Sequence, residues 1–329
     1  MGLLPSEVLT VIRDALESRQ IVIYVVAMLL AGLMASVWVM PAGLVDWINP
    51  ALALMLYVTF LQVPVSRLGK ALTQLRFLVV LLVANFCLVP LFVFALLPLL
   101  PDHTMLRLGV LLVLLSPCID YVVTFAQLGR ADARTLLAAT PVLLVVQMLL
   151  LPLFLKLALG EQFGLYIKAG PFLDAFFFLI LIPLLLAGAT QYLAGKSRAW
   201  AQVQAGLGLA PVPATALVLF IVVAAVLRQL EPALDVLWRV LPVYVLFAFL
   251  APVIGWVLAR QVRLEVPLRR AAAFSSATRN SLVVLPLALA IPGASPLLPA
   301  VILTQTLVEL LAQLVYVRVL ARWGQHEQA

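Results

Sequence analysis

The chain has 329 residues, of which 65% are hydrophobic and only 11% charged, with a net charge of +7. Soluble domains run near ~25% charged, so the composition excludes a soluble domain and describes a polytopic membrane protein. The basic surplus does not indicate nucleic acid as a partner, because the charges fall between apolar runs, as membrane topology requires. Cys87 and Cys118 both lie inside apolar runs, which argues against a disulfide framework, and no CxxC metal pair occurs. No cofactor motif is present.

Residues 1–20 carry Glu7, Arg13, Asp14, Glu17 and Arg19, with Val8, Leu9, Ile12 and Leu16 at helical spacing. This pattern predicts a cytoplasmic interfacial helix. Ten apolar segments follow, at about 21–40, 48–65, 77–100, 106–128, 135–159, 171–193, 212–230, 236–259, 268–291 and 296–320. Each is near the ~20 residues that a bilayer demands, and only helices satisfy their own backbone in lipid at such lengths. A Gly/Ala/Gln-rich linker, 194–211, interrupts the series, and 323–329 form a cytoplasmic tail. With the N-terminus in the cytoplasm, fifteen of the 21 Lys and Arg fall on that side and five on the other. That asymmetry predicts ten spans with both termini inside.

Ten spans divide into two sets of five. The first repeat is 21–160, and the second is 161–193 together with 212–322. The fourth segment's Pro117-Cys118 and the ninth's Arg279-Asn280 are separated by nearly the same interval as the third and eighth segments, and as the fifth and tenth. Five is odd, so the second set enters the membrane inverted. Inverted repeats mark secondary transporters, with the site at the midplane where helices are broken.

The candidate breaks carry the chemistry. Ser275-Ser276-Ala277-Thr278-Arg279-Asn280-Ser281 is a polar run inside the ninth segment. Arg279 stands about ten residues past Arg269-Arg270, roughly 15 Å deep at ~1.5 Å per residue, too deep for easy snorkelling. An intramembrane arginine is a functional candidate by default. In the fourth segment Pro117 lacks an N–H and clashes with the preceding turn. Ser116 and Cys118 flank it, and Asp120 follows where a half-helix would begin. Asp120 and Arg279 hold matched places in the two halves and are expected to meet as an ion pair. In the tenth segment Gln305, Glu309 and Gln313 share one face at i, i+4, i+8, extended by Tyr316, and Gln147 matches Glu309 in the repeat. Asp120, Glu309 and Arg279 sum to one uncompensated carboxylate, which must take up a proton or a cation.

Leu115-Ser116-Pro117-Cys118, Leu128-Gly129-Arg130-Ala131-Asp132 and the run from Ala277 to Pro286 resemble the superfamily of bile acid:sodium symporters and arsenite-efflux permeases, closest to its arsenical-resistance branch. The resemblance covers about residues 20–322. It implies a panel domain of helices 1, 2, 6 and 7 and a core domain of helices 3–5 and 8–10. The fourth and ninth helices would cross at unwound centres. It also implies Cys118 as a thiol ligand for arsenite. Two departures from the pattern involve three positions. Sodium-coupled bile acid symporters place a glutamate and a glutamine where Ser275 and Arg279 stand, and arsenite permeases place a glutamate near Ser281.

The expected activity is secondary transport in the inner membrane, arsenite or metalloid efflux first and organic-anion symport as the alternative, coupled to protons or sodium. The expected substrate contacts are Ser116, Cys118, Asp120, Arg279, Asn280 and Ser281. The expected ion-coupling residues are Asp120, Ser275, Thr278, Gln305 and Glu309. An intramembrane enzyme is not expected, since the chain has no HExxH and no intramembrane histidine.

Overall fold

A computed structural model describes residues 6–62, 74–119, 121–160, 170, 173–174, 176–227, 234–289, 291 and 297–325. Every regular element among them is helical, and seven helices are long and apolar enough to cross a membrane. The chain divides into two compact units, residues 1–66 with 170–231 and residues 67–169 with 232–329.

The first unit contains α1 (Ser6–Val37), α2 (Ile48–Phe60), α8 (Ile182–Ala194), α9 (Arg198–Leu207) and α10 (Pro211–Val226). The amphipathic start and the first span form one helix, because no Gly or Pro separates Leu16 from Ile21. Along α1, Gln20, Tyr24, Met28, Ala31 and Ala35 are buried, while Val26, Leu29, Leu30, Leu33 and Val37 are exposed. The small residues admit a neighbouring helix closely, and the exposed leucines form a face suited to acyl chains. Helix α10 packs against both α1 and α2. Tyr57 and Thr190 hydroxyls share a 3.0 Å hydrogen bond, and Gln191 Nε2 donates to the Phe60 carbonyl at 3.1 Å, tying α2 to α8. The stretch expected as a linker is itself helical: α9 is followed by α10 at a 45° bend.

The second unit contains α3 (Leu75–Val83), a π turn (Ala84–Leu88), α4 (Val89–Leu96), α5 (Thr104–Leu114), α6 (Val122–Leu128), α7 (Ala133–Leu159), α11 (Leu234–Gln261), α12 (Val266–Ala277), α13 (Ser281–Leu289) and α14 (Leu297–Val319). Asp132 caps α7, accepting from the Thr135 N–H at 3.0 Å and the Thr135 hydroxyl at 2.7 Å, as a helix N-cap should. Helices α11 and α12 pack together. At Gly255 a Cβ would stand 2.4 Å from the Ala272 carbonyl oxygen, so this approach requires glycine. Helix α14 buries Gln305, Glu309, Gln313 and Tyr316 and exposes Leu307, Leu311, Leu314 and Val315. The polar stripe faces protein and the leucine stripe faces outward, as lipid solvation requires.

Two runs in this unit are interrupted. Helix α5 stops at Leu114 and α6 resumes at Val122; α12 stops at Ala277 and α13 resumes at Ser281. Both stops have a local cause. Pro117 supplies no donor. Ser116 and Thr278 each return a hydroxyl to the carbonyl four residues back, at 2.8 and 2.7 Å. Such back-bonding competes with the helix ladder.

Candidate functional site at the crossing of two helix breaks

The two breaks meet. Pro117 and Arg279 form an isolated antiparallel bridge. The Cys118 N–H donates to the Thr278 carbonyl at 3.0 Å, and the Asn280 N–H donates to the Ser116 carbonyl at 2.7 Å. A helix break strands backbone donors and acceptors that lipid cannot satisfy. Here each break satisfies part of the other's loss. Cys118 is fully buried at this point.

Glu309, 3% exposed, reaches the crossing from α14. Its Oε1 accepts from the Tyr121 hydroxyl at 2.7 Å. Its Oε2 accepts from the Arg279 backbone N–H at 2.8 Å and from Gln305 Nε2 at 2.6 Å. The Tyr121 hydroxyl also lies 3.2 Å from the Arg279 carbonyl. One turn further along α14, Gln313 Nε2 donates to the Thr278 hydroxyl oxygen at 2.7 Å. The stripe read from spacing is therefore the second wall of the crossing. The Tyr316 hydroxyl donates to the Ala248 carbonyl and braces α14 against α11.

The Arg279 guanidinium turns away from Glu309. It is fully buried and donates to neutral oxygens: Nη2 to Asn85 Oδ1 at 2.9 Å, to the Ser275 carbonyl at 2.7 Å and to the Ser276 carbonyl at 2.6 Å, and Nη1 to the Leu114 carbonyl at 3.3 Å. The Phe247 ring lies 5.4 Å away, within cation–π range. Asp120 lies outside the described residues, and so does the ion pair expected between it and Arg279.

Of the residues singled out in the sequence, Ser116, Cys118, Ser275, Thr278, Arg279, Asn280, Ser281, Gln305 and Glu309 are buried at the two breaks and on the α14 face beside them. Gln147 is buried on α7, with neither side-chain polar atom bonded among the described residues. Sequence reasoning missed Asn85 and Tyr121. Asn85 is the one carboxamide in its apolar run, and a π turn sets it on the Arg279 side. Such turns mark functional sites disproportionately. Its Nδ2 donates to Ser275 Oγ and to the Leu81 carbonyl, both at 3.0 Å.

Several buried polar atoms around the crossing have no partner among the described residues: Ser276 Oγ, both carboxamide atoms of Asn280, Ser281 Oγ, Gln305 Oε1 and Gln313 Oε1. Buried groups left unmatched cost about 1–3 kcal/mol each, and such a concentration is where ordered water, an ion or a ligand is accommodated. Asn280 and Ser281 open α13, where unpaired N–H groups and the helix dipole favour negative charge. Among the described residues no group of three His, Cys, Asp or Glu side chains could hold a metal ion.

Compared with known protein families, residues 49–235 match the sodium bile acid symporter family. The matched stretch is more than half of the 329 residues and contains Asn85 and the first break; Arg279 and Glu309 lie beyond it. No curated protein matches the chain. With an all-helical build among the described residues, seven membrane-length helices and this match, the chain is a multi-pass membrane protein that belongs to the sodium bile acid symporter family.

Proposed function

We propose that this protein is a secondary active transporter that carries a small organic anion across the inner membrane, driven by a cation gradient. One observation carries the reading: the unpartnered buried polar atoms of Asn280 and Ser281, at 1% exposure, open a half-helix beside a buried carboxylate. Half-helix N-termini at a midplane break suit the carboxylate of an anionic substrate, while unwound carbonyls and acidic side chains suit the coupling ion. Ser116, Cys118, Asp120, Arg279, Asn280 and Ser281 are the proposed surroundings of the substrate. Asp120, Ser275, Thr278, Gln305 and Glu309 are proposed to serve the ion, proton or sodium. The family's name speaks for sodium and bile-acid-like anions.

The proposed topology has ten spans, each broken run counted as one, with both termini cytoplasmic. The fifteen-to-five distribution of Lys and Arg supports that orientation. Two runs of the same build, helix then extended break then helix, are paired antiparallel at matched places in the two halves, which supports two inverted repeats. The proposed domain boundaries remain those read from the sequence.

Arsenite efflux is the second reading, favoured by the buried Cys118 thiol at the crossing. The two separate in proteoliposomes holding the wild-type chain or Cys118→Ser, offered a panel of carboxylates and arsenite. The organic-anion reading expects carboxylate uptake in both, within about tenfold of each other, as for a near-isosteric swap. Arsenite flux that vanishes in Cys118→Ser, with no carboxylate uptake in the wild type, would replace it with the metalloid reading.

A further inference from the structure

The oxygens around Arg279 come from three separate elements. Ser275 and Ser276 are among the last residues of α12, and their carbonyls are left without ladder partners because the helix stops at Ala277. Leu114 is the last residue of α5, and its carbonyl is stranded for the same reason. Asn85 Oδ1 arrives from the π turn between α3 and α4. Two helix C-termini, each carrying partial negative charge, therefore face the Arg279 guanidinium, α12 at Nη2 and α5 at Nη1.

Three of the four oxygens gather on a single nitrogen. Arg279 Nη2 lies within 2.6–2.9 Å of three oxygens although it has only two hydrogens to donate. These three acceptors converge on one arm of the guanidinium fork, with only the Leu114 carbonyl on Nη1, while Nε bonds to nothing among the described residues. An arginine that simply capped α12 would need only the Ser275 and Ser276 carbonyls. The Asn85 and Leu114 oxygens go beyond a cap. Carbonyl and carboxamide oxygens gathered from broken helices are the usual ligands of monovalent cations in membranes, where they replace the hydration shell.

We infer that Asn85, Leu114, Ser275 and Ser276 form a monovalent-cation cage and that the Arg279 guanidinium occupies it as a tethered, permanent ion. An arginine stays charged throughout the working pH range. The cage therefore always holds its cation and cannot release it during a transport cycle. Coupling through a mobile ion then falls to the Glu309 side of the crossing. This refines the transport reading by naming which half of the site is fixed: Ser275 and Arg279 then belong to that half, and leave the sets proposed for the coupling ion and the substrate.

The test measures cation binding, not transport, so its failure leaves the transport reading standing, and loss of transport leaves it readable. The purified full-length chain and Arg279→Ala are melted in detergent at constant ionic strength, with choline, sodium or methylguanidinium as the cation. Arg279→Ala is expected to gain a saturable rise in Tm of about 2–8 °C with sodium or methylguanidinium over choline. The wild type and Arg279→Lys, whose cages are already filled, are expected to lack that added rise. Asn85→Leu in the Arg279→Ala background removes one ligand and is expected to abolish it. Equal cation responses in Arg279→Ala and the wild type would overturn the inference. Where Arg279→Ala is not recovered monodisperse in choline, recovery in sodium or methylguanidinium supports the cage, and failure in all three overturns it.

Discussion

Glu309→Gln is expected to reduce gradient-driven uptake to background while the protein still folds. The carboxylate takes three donors, the Tyr121 hydroxyl, the Arg279 backbone N–H and Gln305 Nε2. Glutamine has nearly the same shape and keeps one oxygen. Turned so that this oxygen faces the Arg279 N–H and Gln305, its amide nitrogen meets Tyr121. The Tyr121 hydroxyl can then accept that amide and donate to the Arg279 carbonyl, already 3.2 Å away. Three charge-assisted bonds become ordinary ones, a loss of about 1–3 kcal/mol in total. The function loses more, because the α14 face then has no carboxylate at the crossing to bind or release a cation. Thermal melting beside uptake separates the two effects. Undiminished gradient-driven uptake in Glu309→Gln would remove Glu309 from the coupling role.

Asn85→Leu is expected to be among the most destabilising single changes in the second unit. It deletes the one side-chain oxygen that accepts from the Arg279 guanidinium among the described residues, and the donor to Ser275 Oγ. Leucine fills similar space, so the cost comes from stranded polarity and not from a cavity. Hydrogen bonds to charged groups contribute about 1.5–3 kcal/mol, and a fully buried cation has no water to turn to. In an Arg279→Ala background the same change should cost clearly less, since the charge that needed the oxygen is gone. That non-additivity is what a double-mutant cycle on Tm and denaturation midpoint reads. Equal losses in both backgrounds would mean that Asn85 does not serve Arg279.

The all-helical build and the two breaks were legible in the sequence for physical reasons. Apolar runs of membrane length have one stable backbone solution in lipid. Pro117 and the polar run from Ser275 to Ser281 are the points where that solution fails. The α14 stripe was legible because i, i+4 spacing fixes a face, whatever that face meets. Partners were harder to read. Arg279 carried the expectation of a carboxylate, yet its guanidinium folds back onto stranded carbonyls, a backbone feature no residue type announces. Glu309 meets Arg279 through the main-chain N–H, which every residue but proline has. Asn85 gave a faint signal, since one carboxamide in an apolar run is usually a simple interhelical hydrogen bond. The π turn that sets its position has no sequence signature. The helicity of residues 198–207 was masked by Gln202, Gln204 and Gly206 within it and Gly195 and Gly208 on either side.

The central claim, that a cation gradient drives an organic anion through this crossing, is tested most directly by accumulation in proteoliposomes. The wild-type chain is reconstituted, a sodium or proton gradient is imposed, and a labelled carboxylate is followed over time. The account predicts an overshoot above the equilibrium level that collapses when an ionophore dissipates the driving gradient. Uptake that never exceeds equilibrium, or an overshoot indifferent to both gradients, would contradict it.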